Sequence, residues 1–400
     1  MNTNEKALKG KHFFPNLLGF RFWMANTIIF GHLREIMTIR NLLPLDLQKE
    51  RMTHSLGFYP VLMFFTMSGF LITYQLEVEK YNTQNISIKK FYKNRIFRIW
   101  PVFYLSMFVY WILLPLLLPE YTSSIFFKTL PWLKEAASFG IYDVPKWILF
   151  LLSVFLLPHI ALLIAYVNNG VWIYGVHHWT IGVEEIFYVF WPMLWKKFKN
   201  FKGFILKCFA GYYIALGISI VIYLFCRKVF HTKEAMYVSN LIFFITLFSY
   251  AYCFFIGATA IYAFLYRQDL VQKYITKGLT IFSIVVMFIL MISGFEFPFF
   301  INEIFCSCFA IFMLYLVKDN KRYIIFEHPV IVYLGKITYS VYLFHFISII
   351  VVMYVLEQLH IPQKSMILFN ILQYLFTWIL SFGIAALVFE KFEKKILAMR

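Results

Sequence analysis

An arginine and a histidine stand eleven residues apart in an apolar stretch near the start of the sequence. They are Arg21 and His32, and most residues between them are apolar. If the stretch is helical, eleven steps of about 100° bring both side chains to one face, about 16 Å apart along the axis. Glu35 follows His32 by three residues and can pair with it on that face. Ionisable groups inside an apolar span are costly, which makes Arg21 and His32 candidates for function, with Glu35 as a second-rank candidate.

A guanidinium group near the membrane surface and an imidazole at depth suit a long anionic donor whose reactive end is inserted into the protein. His32 would then act as a general base or as a transient acyl carrier, and Arg21 would bind the anionic part. Both residues also have simpler explanations. Arg21 can be an interfacial anchor that extends its charge to the headgroups, and His32 can be a packed histidine bonded to a carbonyl group.

Two more arginines, one helical turn apart, lie in a basic segment before Trp100-Pro101. They are Arg95 and Arg98, and on a helix they present two guanidinium groups from one face. Arginine binds phosphate through two hydrogen bonds at once, so this spacing predicts a phosphate site at the membrane surface. The alternative is the ordinary excess of positive charge in cytoplasmic loops.

Adjacent carboxylates begin another apolar segment. Glu184 and Glu185 diverge on a helix and are not an obvious acid–base pair, whereas Glu184 and Tyr188 share a face at four-residue spacing. We expect Glu184 to orient His32 or to balance its charge, with Tyr188 as a second-rank candidate. The alternative is a carboxylate that the dipole of its own helix stabilises.

The remaining histidines of interest are weaker candidates. His345 lies in an apolar segment near the end of the sequence, where a lone histidine is usually a structural hydrogen-bonding group, so it is second-rank. His177 and His178 precede the segment with the two carboxylates, and we expect interfacial roles for them rather than metal ligation. No metal site is expected, because the sequence lacks a His-Glu-x-x-His motif.

The elements that must position these residues are membrane helices. Of the 400 residues, 61% are apolar and 14% are charged, against about 45–50% and about 25% in soluble domains. Residues 1–400 are therefore predicted to form a single all-α domain, a polytopic transmembrane helical bundle without a separate soluble domain. Its eleven candidate apolar segments are 17–36, 57–76, 98–119, 147–167, 180–197, 204–226, 240–266, 278–294, 298–318, 331–357 and 366–390.

The distribution of positive charge predicts the topology. Residues 77–98 hold six Lys and Arg, and residues 168–178 hold none. Positive loops stay in the cytoplasm, which places both termini inside and requires an even number of crossings in the cell membrane. We predict ten crossings, with the extra segment in the proline-rich interval 98–167. The net charge of +17 is explained by these loops and by membrane lipids rather than by nucleic acid.

These residues resemble the motifs of the membrane-bound acyltransferase family 3, the bacterial integral-membrane O-acyltransferases. Five stretches occur in the family's order. They are Arg21-x10-His32, Phe64-Phe65-Thr-Met-Ser68-Gly69-Phe70-Leu-Ile, Arg95-Ile-Phe-Arg98-Ile-Trp-Pro101, Trp179-Thr-Ile-Gly-Val-Glu184-Glu185-Ile-Phe187-Tyr188 and Tyr339-Ser340-Val-Tyr342-Leu-Phe-His345. Thr180 stands where the family usually has serine, which is a mild departure.

The resemblance implies an O-acyltransferase of about ten spans that takes acetyl-CoA, or another short acyl-CoA, as donor substrate and a glycan hydroxyl as acceptor. No permanently bound cofactor is expected. It implies that Arg21 and His32 are required and that Arg95 and Arg98 lie near the donor. No SGNH-type domain follows the last apolar segment, so we expect the membrane domain or a separate partner to modify the acceptor.

Two other functional classes remain as alternatives. A transporter or flippase for a lipid-linked sugar is expected to show repeats with paired broken helices, and the sequence shows no clear repeat. An interaction subunit of a polysaccharide export machine is a third interpretation. The sequence makes no prediction of oligomeric state.

Overall fold

The computed structural model describes residues 14–40, 42–43, 47–126, 145–169, 173–197, 201–229, 250–294, 300–318 and 323–399. Within these ranges every regular element is helical, which confirms the all-α prediction. The helices are α1 (Pro15–Ile39), α2 (Leu47–Thr83), α3 (Ile88–Leu117), α4 (Pro119–Ser123), α5 (Lys146–Val154), α6 (Pro158–Asn169), α7 (Trp179–Lys197), α8 (Phe201–Val229), α9 (Ala251–Tyr266), α10 (Gln268–Tyr274), α11 (Lys277–Ser293), α12 (Ile301–Lys318), α13 (Ile324–Glu327), α14 (Pro329–Lys336), α15 (Thr338–Gln358), α16 (Ile361–Lys364) and α17 (Met366–Ala398).

Six helices in the described ranges are long and apolar enough to cross a membrane, and α10 with α11 adds a seventh if this bent pair is one span. The predicted count of about ten crossings is therefore not confirmed. The six do not include α1 and α7, the helices that carry His32 and Glu184. Polar side chains lower the hydropathy of these two helices, and such helices must be enclosed by others in a bilayer.

The predicted segment 147–167 is not one helix. It divides into α5 and α6 around Leu156, whose φ is 61°. Helix α5 has nine residues and rises about 14 Å, well short of the roughly 30 Å hydrocarbon core of a bilayer. This break lies in the interval 98–167 where the sequence places the extra segment.

Other predicted boundaries need adjustment as well. Segment 331–357 is interrupted at Ile337, between α14 and α15. Residues 240–249 of the segment 240–266 lie outside the described residues, as do residues 1–13. The cytoplasmic location of both termini stays a prediction.

Helix α2 is the central element of the bundle, and it packs against α1 on one side and α9 on the other. Two glycines allow the contact with α9. A Cβ added to Gly69 would overlap the carbonyl group of Phe254, and one added to Gly257 would overlap the carbonyl group of Thr66. Small residues let the backbones of membrane helices approach this closely.

The contact between α1 and α2 also depends on glycine. A Cβ on Gly31 would overlap the backbone of Gly57, so the two helices touch beside His32. A Cβ on Gly335 would likewise overlap the carbonyl group of Leu18, which brings α14 against the start of α1. The helix that carries Arg21 and His32 is therefore held by close contacts near both residues.

Stacked aromatic rings fill the core around α2. The rings of Tyr59 and Phe305 are 4.3 Å apart between centroids, and those of Phe187 and Phe254 are 4.1 Å apart. These pairs join α2 to α12 and α7 to α9. Aromatic residues make up 22% of the sequence. Some of them connect the helices that enclose the candidate site.

We expect Gly69→Ala to destabilise the bundle, because the new methyl group would force α2 and α9 apart. Overpacking typically costs about 1–3 kcal/mol, so the apparent melting temperature of the purified protein should fall by several degrees. Gly211→Ala is the matched control, since no atom lies within 4 Å of a Cβ at that position. Equal melting temperatures for the two variants would contradict the proposed backbone contact.

Candidate active site

Three arginines meet in one cavity of about 140 Å³. Arg21 comes from α1, and Arg95 and Arg98 come from α3. Glu184 and Tyr188 of α7 line the same cavity, and α2 and α15 complete its wall. The structure therefore brings Arg21 together with Arg95 and Arg98, which follow it in the sequence by more than seventy residues.

The positive charge of this cavity is only partly balanced. The guanidinium groups of Arg21 and Arg98 make no hydrogen bond or ion pair with the described residues, and the Nε atom of Arg21 is buried. Arg95 donates a hydrogen bond of 2.6 Å to the side-chain oxygen of Gln75. The carboxylates near enough to act on Arg21 are those of Glu184 and Glu393. The lining of the cavity itself holds three arginines and one carboxylate, that of Glu184, and this excess of positive charge suits an anion.

Glu184 belongs to this cavity and does not contact His32. Its carboxylate accepts a hydrogen bond of 2.6 Å from the hydroxyl group of Ser68. The carboxylate that contacts His32 is that of Glu35, 3.2 Å from Nδ1. The structure therefore does not bring Glu184 into contact with His32, because α7 turns residue 184 toward the arginines. Glu184 and Tyr188 line the same cavity, as their spacing on one helix face predicts.

A second group of polar side chains lies deeper, where four imidazole rings form a row. Ring centroids are 5.4 Å apart for His32 and His345, 5.0 Å for His345 and His177, and 4.4 Å for His177 and His178. The side chain of His32 is 17% exposed, and the other three histidines are buried. We call these four residues the histidine row.

In the neutral form, three of the four rings each place their one proton in a hydrogen bond. A carbonyl group only accepts, so Nδ1 of His345 donates to the carbonyl of Tyr342 at 2.6 Å, and Nε2 of His177 donates to that of Leu343 at 3.1 Å. The Nδ1 atom of His32 donates to Glu35 in the same way. The opposite nitrogen of each of these rings then carries a free lone pair.

Three ring nitrogens of the row have no hydrogen-bond partner among the described residues. Nε2 of His345 and the Nδ1 atoms of His177 and His178 are buried without a hydrogen-bond partner among the described residues. Buried polar atoms are nearly always satisfied in folded proteins, and exceptions point to catalysis or to an absent ligand. No group of three or more His, Cys, Asp or Glu in the described ranges has the geometry of a metal site.

Tyr342 of α15 separates the arginine cavity from the histidine row. Its side chain lines the cavity together with Thr180, and its ring lies 5.5 Å from the ring of His345. The hydroxyl of Thr180 donates to that of Tyr342, which in turn donates to the carbonyl of His177. His32 does not line the cavity. Arg21 and His32 therefore line no common cavity among the described residues, and Tyr342 lies between the two groups.

The structure places two histidines where the sequence does not predict them and brings a third against His32. His177 and His178 were expected at an interface, but each is 1% exposed and lies in the histidine row. They form a short turn, Val176–His178, before α7, and a three-residue turn has no periodicity that reveals which way a side chain faces. His345 was second-rank, yet its ring is stacked on that of His32.

Comparison with known proteins identifies relatives along most of the chain. The family profile described as "Acyltransferase domain" matches residues 15–390. "O-acetyltransferase OatA" of Staphylococcus aureus (strain NCTC 8325 / PS 47) is 30% identical over 173 residues, which are 42% of this chain and 25% of that protein. "Putative O-acetyltransferase SACOL0978" of Staphylococcus aureus (strain COL) is 26% identical over 380 residues, 86% of this chain and 52% of that protein.

The chain covers only part of the length of these relatives. The chain spans about a quarter of the first relative and about half of the second. An "Uncharacterized protein" of Haemophilus influenzae (strain ATCC 51907 / DSM 11121 / KW20 / Rd) is 27% identical over 184 residues, 45% of this chain and 67% of that protein. No solved structure matches the chain.

We expect Glu184→Gln to strengthen anion binding in the arginine cavity. Removing a carboxylate close to the guanidinium groups should tighten the binding of pyrophosphate roughly fivefold, which corresponds to about 1 kcal/mol of Coulomb energy. Calorimetry on the purified protein at low ionic strength would measure this. Glu35→Gln is the control, because Glu35 contacts His32 and does not line the cavity. Equal affinities for the two variants would show that the cavity does not bind the anion.

Proposed function

The chain belongs to acyltransferase family 3, and from this membership we propose that it transfers an acyl group, acetyl in the first instance, from acyl-CoA to a hydroxyl of a cell-surface carbohydrate. Family membership makes the protein a membrane O-acyltransferase. The donor, the acceptor and the roles of individual residues are the proposal. One observation carries it: a cavity with three arginines ends at Tyr342, whose ring lies beside the histidine row.

The arginine cavity is the proposed donor site. Coenzyme A carries its phosphates at one end and its thioester at the other, with a long uncharged arm between them. Arg21, Arg95 and Arg98 bind the phosphates, because guanidinium groups form paired hydrogen bonds with phosphate oxygens. The thioester then points toward Thr180 and Tyr342 at the inner end of the cavity.

The thioester reaches the histidine row when the side chain of Tyr342 moves aside. Its hydroxyl group is held by Thr180 and by the carbonyl of His177, and these bonds keep a donor in the arginine cavity apart from His32 until the side chain moves. A closed inner wall is useful in an acyltransferase because it limits the hydrolysis of the thioester. Donor binding supplies the energy that opens it.

His32 is the proposed general base. Its Nδ1 proton is held by Glu35, so Nε2 has the lone pair that removes the proton from the acceptor hydroxyl. The hydroxyl oxygen attacks the thioester carbonyl, the carbon–sulfur bond breaks, and the leaving thiolate takes the proton from the imidazolium ring. The Glu35 carboxylate stabilises that transient charge. A route through an acyl-imidazole on His32 uses the same groups.

We expect His32→Ala to reduce acetyl transfer by about 10²–10⁴-fold, the usual contribution of a well-placed base. Purified protein with acetyl-CoA and isolated cell-surface glycan would be assayed for CoA release and for acetylated product. His328→Ala is the control, because His328 is exposed at the start of α14. Full activity in His32→Ala would contradict the proposed role of His32 as general base. Absence of both CoA release and acetylated product in the wild type would favour a transporter.

We expect Arg98→Gln to raise the KM for acetyl-CoA about tenfold with a smaller effect on kcat, because a phosphate contact is worth about 1.4 kcal/mol or more. Acetyl-pantetheine serves as the comparison donor, because it has the same thioester and no nucleotide phosphates. Wild type and Arg98→Gln should use acetyl-pantetheine equally well. The control is Arg267→Gln, since Arg267 is on the surface and paired with Asp269. A similar loss with both donors would place Arg98 away from the phosphates.

A further inference from the structure

A second and larger cavity, of about 600 Å³, is a groove between α1 and α17. Most of its lining is apolar or aromatic, with Leu33 and Met37 on α1 facing Ile371 and Leu375 on α17. Ile371 is 58% exposed and Leu375 is 47% exposed, so the groove opens on the outside of the bundle. In a bilayer that side faces hydrocarbon.

One charged group lines this groove. Arg34 is half-buried there, and its guanidinium group makes no hydrogen bond or ion pair with the described residues. A cation among apolar side chains at this position costs free energy unless an anion accompanies it. The groove therefore combines hydrocarbon-binding walls with a binding group for a single anion.

The groove lies close to the proposed catalytic base and far from the donor site. Arg34 follows His32 by two residues, so their axial separation is about 3 Å, and the two side chains project from different sides of a helix about 10 Å across. Arg21 is thirteen residues from Arg34, about 20 Å along the same axis. Helix α1 thus carries two anion sites, a polar cavity at one end and an apolar groove at the other.

We propose that the groove binds a lipid-linked acceptor, in which one phosphate joins a long hydrocarbon chain to a sugar. The chain lies between α1 and α17, Arg34 pairs with the phosphate, and the sugar extends around α1 toward His32. This inference rests on the proposed acyl transfer and names the class of its acceptor. A water-soluble glycan needs no hydrocarbon surface, and coenzyme A has its own cavity with three arginines.

The probe for this site is a defined polyprenyl-phosphate hexose, and phosphatidylglycerol is the competing lipid. Binding to the full chain in detergent would be measured by native mass spectrometry without any acyl donor. The wild type should prefer the probe at least tenfold. Arg34→Gln should weaken probe binding about tenfold through the lost charge pair, and Leu375→Trp should weaken it by filling the groove. Lys364→Gln is the matched control, an exposed cation in α16 outside the groove.

Each outcome decides for or against the groove. Equal binding of phosphatidylglycerol would mean that it holds ordinary bilayer lipid, and probe binding that resists both Arg34→Gln and Leu375→Trp would place the lipid elsewhere. Either result overturns the inference. Selective binding that both variants weaken supports it, even if the protein transfers no acetyl group, in which case the proposed function fails alone. Acetyl transfer to free glycan without probe binding would support the proposed acyl transfer and contradict the proposed acceptor site in the groove.

Discussion

The central constraint in this molecule is that ionisable groups inside a membrane must be enclosed by protein. Helix α1 carries Arg21, His32 and Arg34, and it is polar enough to fall outside the set of helices that would cross a bilayer by hydropathy alone. Much of it is buried because α2, α14, α15 and α17 pack around it. The glycine contacts at Gly31 and Gly335 let the backbones of α2 and α14 approach it closely on those two sides.

Enclosure divides the interior into two chemically different compartments. The arginine cavity has an excess of positive charge and suits phosphate, whereas the histidine row holds buried ring nitrogens without a hydrogen-bond partner among the described residues. Tyr342 keeps the two apart. This division separates the binding of a charged donor from the transfer of a proton, two tasks that place opposite demands on the local charge.

The outer face of α1 adds a third environment. The groove against α17 is apolar and contains a single cation, so it resembles the membrane rather than the cytosol. One helix therefore touches a polar cavity, a proton-accepting row and a hydrocarbon groove on its different sides. Such an arrangement lets a bundle bring a water-soluble substrate and a membrane-borne one to the same imidazole group.

Composition and motif order were enough to establish an all-α membrane protein and its family. Fold class and family follow from which residues occur and in what order, and neither requires knowledge of how the helices pack. Helical spacing also paired Glu35 with His32 and Glu184 with Tyr188, because neighbours one turn apart are set by the backbone. Only the tertiary structure decided that Glu184 faces the arginines, that His177 and His178 are buried in the row, and that Tyr342 closes the cavity. Those facts depend on how separate helices are rotated against one another, and no local periodicity encodes that rotation.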